Sequence, residues 1–186
     1  RVFAAACDTK TPQGVLCMVQ QYHYRLEDLL KKKNPLLMIL ENLQDPGNLG
    51  TMIRTGEGAG ITGVIMNNQT VDIFNPKTIR ATMGSIFRVP FVYVPDLAPV
   101  LEQMHAKGIY TYAAHLKGQE YYDSFSFREP TAFLIGNEGN GLSKEISDQA
   151  GQYLKIPMEG RVESLNASIA AALLMYEAHR QRSARL

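Results

Sequence analysis

In "TAFLIGNEGNGLS", Thr131 to Ser143, an apolar run leads directly into three glycines within six residues. A glycine cluster straight after a strand marks a tight turn or a close approach of the backbone to a ligand. The turn alone is the simpler alternative, because glycine-rich turns between strands and helices are common in α/β proteins. From this segment by itself, both interpretations stay open.

The order of these residues excludes two nucleotide-binding motifs. Gly136, Gly139 and Gly141 read G-x-x-G-x-G, whereas the dinucleotide fingerprint reads G-x-G-x-x-G. The stretch continues to Leu142 and Ser143 without the lysine that reaches the outer phosphates in a P-loop. The segment therefore supports neither NAD nor ATP as a ligand.

Length and composition predict one domain with a sizeable core. The chain has 186 residues, 45% of them hydrophobic, and contains no apolar run long enough to span a membrane. Its net charge of +1 means that any contact with nucleic acid must come from a local patch. The lysines at 31–33 are one candidate, and a solvated linker or helix end is an equal alternative. Cys7 and Cys17 form no C-x-x-C pair, which argues against zinc and favours a reduced, cytoplasmic protein.

The first residues predict only a short leading piece. The chain opens on Arg1 with neither an initiator methionine nor an apolar signal core, so we expect a piece of a longer gene product. Residues 8–21 predict a turn and a short strand, and "YRLEDLLKKKN" (24–34) predicts a connecting helix or linker. We expect residues 1–33 to be the tail of a preceding domain and the main domain to occupy 34–186.

Apolar runs then alternate with helical patterns, which predicts an α/β fold with a mostly parallel sheet. The predicted strands span 36–42, 63–68, 91–95, 109–116, 131–136 and 152–158. The predicted helices span 48–59, 76–87, 97–106, 144–150 and 165–182. Ligands of such sheets bind beyond the carboxyl ends of the strands, so the loops after 42, 136 and 158 are the candidate site.

The loop after 42 reads "ENLQDPGNLGTMIRTGEGAG" (41–60). Asp45 and Pro46 predict an N-cap and a first helical residue. Asn48 and Arg54 add an amide and a guanidinium where the sheet ends. The helix also carries glycines at 50, 56 and 58, each of which costs about 1 kcal/mol against alanine. A requirement other than helix stability must therefore retain these glycines.

The last loop reads "IPMEGRVESLNASIAAALLMYEAHRQR" (156–182). Ser164 is either the cap of the following helix or part of a site. Asn166 lies near the positive end of that helix, where a polar side chain can reach a ligand as well as a backbone group. An apolar stripe along the helix predicts packing on a core or on a second subunit; its members are Leu165, Ile169, Ala172, Leu173 and Tyr176.

These three loops resemble the three sequence motifs of the SpoU, or TrmH, family of RNA ribose 2'-O-methyltransferases in the SPOUT superfamily. The matching segments, in the family's order and spacing, are "DPGNLGTMIRTGEGAG", "FLIGNEGNGLS" and "IPMEGRVESLNASIAAALLMYE". "NPKTIRATMGSIFRVPF" also resembles the segment between the first two motifs, and the first thirty-odd residues resemble the end of an N-terminal substrate-binding domain. Gly56 and Gly58 depart from the alanines that are frequent in the family, which bears on helix stability only.

The resemblance implies a SPOUT fold with a deep trefoil knot in its C-terminal portion, and a homodimer whose interface adjoins the site. It implies S-adenosylmethionine bound in a bent form against the second and third motif loops, and no metal. The residues it assigns to the cofactor are Leu134, Gly136, Gly141, Ile156, Met158 and Leu165.

The resemblance assigns Arg54 to activating the ribose hydroxyl, with Asn48, Glu138, Ser164 and Asn166 around it. A guanidinium stays protonated in nearly every protein, so orienting the ribose and stabilising a developing alkoxide is chemically easier for Arg54 than acting as a base. The histidines lie outside all three motifs and are predicted to be surface or packing residues; they are His23, His105, His115 and His179.

Three classes of function remain: an RNA 2'-O-methyltransferase, an RNA-binding module without catalysis, and a hydrolase that uses Ser164. The complete set of polar motif residues argues against the second class. The lack of a G-x-S-x-G elbow and of a histidine near Ser164 argues against the third. The resemblance favours ribosomal RNA over transfer RNA as the substrate.

Overall fold

Seven parallel strands form one sheet in the structure, a computed structural model that describes residues 14, 15 and 17–183. The strand order is β3-β2-β1-β6-β4-β7-β5, and every neighbouring pair is parallel. The α/β fold with a mostly parallel sheet is therefore confirmed. The strands are β1 Leu36–Leu40, β2 Gly63–Asn67, β3 Phe91–Val94, β4 Tyr110–Ala114, β5 Glu120–Tyr121, β6 Thr131–Ile135 and β7 Gln152–Lys155.

Helices follow most of the strands and cover both faces of the sheet. The predicted start of the first long helix is confirmed, because Asp45 Oδ1 accepts a hydrogen bond from Asn48 N at 2.8 Å and Pro46 is the first helical residue. Among the described residues, no helix is both long enough and apolar enough to cross a membrane. The helices are α1 Leu26–Leu30, α2 Pro46–Ala59, α3 Pro76–Thr82, α4 Ala98–Ala106, α5 Lys144–Gln149 and α6 Ala167–Arg182.

The core lies in two layers, one on each face of the sheet. In β1, Leu36, Met38 and Leu40 pack in the layer beneath α2 and α6. Leu37 and Ile39 pack in the other layer, beneath α4. This division follows from the alternation of side chains along a strand. A strand buried on both faces reads as a continuous apolar run, which is why "LLMIL" gave a clear signal.

Packing explains two of the glycines of α2, Gly50 and Gly56. A Cβ atom at Gly50 would lie 2.5 Å from Ala81 Cβ and 2.6 Å from the carbonyl oxygen of Thr78, so α3 approaches α2 too closely for any side chain there. At Gly56, a Cβ atom would lie 2.3 Å from Ile61 Cδ1. Close contact of α2 with its neighbours is therefore the requirement that outweighs the loss of helix propensity.

One predicted helix is shorter in the structure, and one strand was not predicted. The helix predicted over 76–87 ends at Thr82, because Met83 (φ 50°) and Gly84 (φ 87°) both adopt the left-handed conformation, and a 3₁₀ turn follows at Ser85–Phe87. The two-residue strand β5 was not predicted, because two residues are too short to show periodicity.

The leading segment packs against the main domain. The helix predicted within 24–34 is confirmed as α1, and its Leu29 and Leu30 are only 3% and 4% exposed. The turn and strand predicted over 8–21 lie partly outside the described residues, and no strand forms at 17–21, which the structure describes. Cys7 also lies outside the described residues.

Candidate active site

A cavity of about 290 Å³ lies at the carboxyl ends of β4, β6 and β7. This is the edge of the sheet at which an α/β protein binds its ligands. The two candidate loops after 136 and 158 both line it, as the sequence predicts. The wall consists of residues 114–116, 135–142, 154–156, 158, 163–165, 167 and 170.

Gly136 starts the glycine loop at a point where no side chain fits. A Cβ atom there would lie 2.1 Å from both the carbonyl carbon of Gly141 and the nitrogen of Leu142. Two backbone hydrogen bonds close the loop: Asn137 N donates to Gly141 O at 3.0 Å, and Gly141 N donates to Asn137 O at 2.8 Å. Gly141 has a φ of 68°, which favours glycine. The glycines thus form a tight turn, and the same turn forms part of the cavity wall.

Most residues that the resemblance assigns to the cofactor line this cavity: Gly136, Gly141, Ile156, Met158 and Leu165. Leu134 does not. Its side chain is fully buried in the core layer beneath α4, because successive residues of β6 point to opposite faces of the sheet. Ile135, one residue later, lines the cavity in its place.

The cavity also has polar walls that the motifs did not indicate. His115, which the sequence places among surface or packing residues, follows β4 and lines the cavity. Its ring stacks on Tyr153 with the centroids 5.0 Å apart, and its Nδ1 accepts a hydrogen bond from Lys117 N at 3.0 Å. Lys155 and Glu163 place opposite charges on the same wall. Only their position at strand ends could have indicated His115 and Lys155, whereas Glu163 lies within the third motif segment but has no role assigned by the resemblance.

Glu138 links the cavity wall to the first motif. Its Oε1 accepts hydrogen bonds from Asp45 N at 2.9 Å and from Asn48 Nδ2 at 3.0 Å, and its Oε2 accepts one from Gln44 N at 3.0 Å. Asn48 Oδ1 in turn accepts a hydrogen bond from Asn166 Nδ2 at 3.0 Å. Three residues predicted from three separate motifs therefore form one network.

The protonation of Glu138 follows from these contacts. Partial desolvation raises the pKa of its carboxyl group, but hydrogen bonds from Asn48 Nδ2 and from the backbone N–H groups of Asp45 and Gln44 outweigh it and hold the pKa below the ordinary value. The carboxylate is therefore ionised at neutral pH, and much of its accepting capacity is occupied by these donors. It is suited to orienting Asn48 and poorly suited to accepting a proton.

Asn166, and not Ser164, caps α6. Asn166 Oδ1 accepts hydrogen bonds from Ser168 N at 2.8 Å and from Ile169 N at 3.4 Å. The alternative in which Ser164 serves as the helix cap is therefore excluded. Ser164 is exposed and lines the cavity two residues before the cap. Capping fixes the Asn166 side chain, so its Nδ2 can reach Asn48.

Arg54 lies apart from this network. It is exposed on α2, whereas Leu49, Met52 and Ile53 of the same helix are buried, so its side chain projects away from the core. It does not line the cavity. The structure thus brings Glu138, Asn48 and Asn166 together and leaves the Arg54 guanidinium free to meet a molecule arriving from solvent.

The residues that the structure describes contain no group of three or more His, Cys, Asp or Glu side chains that could hold a metal ion.

Comparison with known proteins identifies the family. Residues 35–176 match the model of the SpoU rRNA Methylase family. The chain belongs to this family. The resemblance carried by the three motifs is thereby confirmed, and so is the fold class, because the structural neighbours are SpoU methyltransferases that share the parallel α/β sheet.

Three relatives illustrate this SpoU membership. The 23S rRNA (guanosine(2553)-2'-O)-methyltransferase RlmP of Bacillus subtilis is 34% identical over 174 residues, which cover 94% of this chain and 68% of RlmP. The SpoU methyltransferase AviRb of Streptomyces viridochromogenes is 33% identical with a TM-score of 0.81, over 86% of this chain and 64% of AviRb. An AdoMet-bound rRNA methyltransferase of Sinorhizobium meliloti is 36% identical with a TM-score of 0.81, over 87% of this chain and 62% of that protein. The chain thus spans just under two thirds of these two solved relatives.

Proposed function

We propose that this SpoU domain transfers a methyl group from S-adenosylmethionine to a ribose 2'-hydroxyl in RNA. The proposal rests on one observation about Glu138. This residue lines the glycine-rich cavity and also accepts a hydrogen bond from Asn48, which in turn bonds to Asn166. A cofactor site and a polar substrate site therefore share one boundary. The AdoMet-bound relative from Sinorhizobium meliloti supports this choice of cofactor.

The cavity suits S-adenosylmethionine in size and chemistry. Its volume of about 290 Å³ is close to that of ordinary small-molecule pockets. Leu142, Leu154 and Ile156 provide apolar wall for an adenine ring and a thioether chain. Lys155 and Glu163 provide opposite charges for a carboxylate and an ammonium group. When bound, the cofactor supplies a methyl group on a positively charged sulfur.

The contribution of the chain is alignment. An in-line displacement needs donor and acceptor held in one geometry, which is worth on the order of 7 to 11 kcal/mol of the barrier. The ionised Glu138 fixes the Asn48 amide, and the capped Asn166 fixes it from the other side. Ser164 adds a hydroxyl on the cavity wall. We assign these four side chains to positioning the ribose beside the methyl donor.

We assign Arg54 to the RNA and not to the cofactor. It is exposed and lies outside the cavity wall, so a bound cofactor is not its partner within this chain. A guanidinium presents a planar fork of donors that matches a phosphate or a ribose oxygen. In that position it orients the ribose and stabilises the negative charge that develops on the 2'-oxygen.

Ribosomal RNA is the favoured substrate and transfer RNA the alternative. The name of RlmP, a 23S rRNA 2'-O-methyltransferase, supports ribosomal RNA. A binding module without catalysis is the less favoured reading, because all five motif residues assigned to catalysis are present: Asn48, Arg54, Glu138, Ser164 and Asn166. An RNA substrate also favours a cytoplasmic location for the protein.

The proposal includes a homodimer formed through α6. The predicted stripe does not pack on the core along its whole length, because Ile169 and Tyr176 are each 50% exposed and Leu173 is 36% exposed. These residues border a groove of about 420 Å³ together with Tyr122 and Arg180. An exposed apolar face of this kind indicates a protein interface. The proposal also retains the trefoil knot and a domain boundary near residue 34, which the family match beginning at residue 35 supports.

Two measurements test the function. Calorimetric titration with S-adenosylhomocysteine in the presence of a chelator should give saturable binding, because the described residues contain no cluster of metal ligands. Mapping of ribose methylation in RNA from cells with and without the gene should show one missing methyl group, in ribosomal RNA. Absence of binding at millimolar cofactor overturns the enzyme assignment, and a site missing from transfer RNA selects the alternative substrate.

A further inference from the structure

Asn67, the last residue of β2, makes three hydrogen bonds with its buried side chain. Its Oδ1 accepts from Asn42 N at 2.9 Å and from Thr70 Oγ1 at 2.9 Å. Its Nδ2 donates to Asn42 Oδ1 at 2.7 Å. Only 8% of the residue is exposed. Asn67 and Asn42 therefore hold each other in a reciprocal pair that solvent hardly reaches.

This pair fixes a strained residue. Asn42 lies three residues before the first motif and has a φ of 55°, a left-handed conformation that few residues other than glycine and asparagine adopt. Its backbone N–H and its side chain both bond to Asn67, so the pair holds the backbone in this conformation. The consequence is a fixed direction for the Asn42 carbonyl, which accepts a hydrogen bond from Asn137 Nδ2 at 2.9 Å.

Asn137 in turn organises the glycine loop. Its Oδ1 accepts hydrogen bonds from Gly139 N at 2.9 Å and from Asn140 N at 3.0 Å. Its backbone forms the two hydrogen bonds with Gly141 that close the loop. Residues 137–141 all line the cavity. A continuous chain of hydrogen bonds thus runs from Asn67, through Asn42 and Asn137, to the amides of the cavity wall.

We propose that Asn67 is a positioning residue for the cofactor. It touches neither the cavity nor the Glu138 network, and it lies outside all three motifs. Asparagine suits the task because one short side chain offers both a donor and an acceptor. Through Asn42 it keeps the Asn137 amide in place, and the amide keeps the loop in the shape that binds the cofactor. This inference rests on the proposed function, because it takes the cavity to be the cofactor site.

The first test needs no cofactor. Hydrogen exchange at the amides of Gly139, Asn140 and Gly141 is compared between the wild type and Asn67→Ala. Loss of buried, bonded partners should accelerate exchange of these amides by on the order of tenfold. The matched control is Thr131→Val, which removes one buried hydrogen bond, from Thr131 Oγ1 to Glu129 O, at the opposite end of β6. The control should leave exchange in the loop unchanged.

The second test measures binding and turnover. Asn67→Ala should weaken S-adenosylhomocysteine binding by on the order of tenfold and raise the KM for S-adenosylmethionine equally, since a buried donor and acceptor lose their partners. The kcat at saturating cofactor should stay close to that of the wild type, because the loop is then held closed by the ligand. Thr131→Val should change neither quantity. A purely structural role for Asn67 predicts lower thermal stability with unchanged affinity, and that result overturns the proposal.

A milder variant covers the case in which Asn67→Ala does not fold. Thr70→Val removes only the hydrogen bonds of the Thr70 hydroxyl, which include the one it donates to Asn67 Oδ1, and adds no charge, so its loop exchange and affinity should fall between those of the wild type and a full loss. Wild-type values in this folded variant, or an equal loss in Thr131→Val, overturn the positioning role. If the loop amides respond as expected but the wild type binds no S-adenosylhomocysteine, the proposed function fails and the positioning of the loop by Asn67 stands.

Discussion

Replacing Gly136 by alanine should open the glycine loop. The added Cβ would lie 2.1 Å from two backbone atoms, Gly141 C and Leu142 N, which cannot rotate away as a side chain can. The loop must therefore separate, which breaks the two hydrogen bonds between Asn137 and Gly141. Since each such bond contributes about 0.5 to 1.5 kcal/mol, the closed loop should lose about 1 to 3 kcal/mol. At about 1.4 kcal/mol for each factor of ten, cofactor affinity should fall by about 5- to 150-fold.

The assay is calorimetric titration of each variant with S-adenosylhomocysteine, with thermal denaturation to confirm folding. Gly139→Ala is the matched control in the same loop, because the nearest atom to a Cβ there is Asn137 Oδ1, at an ordinary 3.5 Å. Both glycines line the cavity, but the control keeps the loop closed, so its affinity should fall by much less than that of Gly136→Ala. Wild-type affinity in Gly136→Ala refutes the steric reasoning. An equal loss in both variants refutes it too, because it points to loop flexibility instead.

The remaining predictions concern the RNA side, a helix cap and an ion pair. Arg54→Ala should lower single-turnover methyl transfer at least about a hundredfold and leave S-adenosylhomocysteine affinity nearly unchanged. Arg54→Lys should restore little activity, because lysine lacks the planar fork of donors. Near-normal turnover in Arg54→Ala contradicts the assignment. Asn166→Ala removes the cap of α6 and should lower the free energy of unfolding by about 1 kcal/mol in denaturant titrations. The hydrogen bond from Arg88 lowers the pKa of Glu57 to about 2, so the pair stabilises the fold above the ordinary carboxyl pKa and loses this effect as pH falls toward about 2. The stability difference between the wild type and Glu57→Gln should shrink over that acidic range, and a difference that is independent of pH argues against the pair.

The sequence predicted the sheet well because each central strand is buried on both faces. A run such as "LLMIL" has no polar residue to break it, and turn residues bound it on both sides. Local rules also predicted the start of α2, since an N-cap and a first-turn proline act within two adjacent residues. These signals are local, so they can be read without knowledge of the tertiary structure.

The parts that the sequence did not predict depend on contacts between distant segments. Leu134 and Ile135 are equally apolar, and only the register of β6 decides which one faces the cavity. Asn42 and Asn67 are 25 positions apart, and neither lies in a motif that would indicate their hydrogen bond. The cap of α6 stayed open in the sequence, because Ser164 and Asn166 are both good capping residues and only the helix itself shows that Asn166 is the cap.

The strand order has a consequence for synthesis on the ribosome. Strand β1 lies in the interior of the sheet beside the central strand β6, which follows much later, since Leu36 pairs with Thr131, 95 residues further along the chain. One edge of a fully apolar strand therefore stays unpaired until about 95 further residues have been synthesised. Parallel pairings of such long sequence separation form slowly and leave hydrophobic segments open to aggregation in the meantime. The nascent segment "LLMIL" is the one that we expect a chaperone to shield, with release once residue 135 has cleared the exit tunnel.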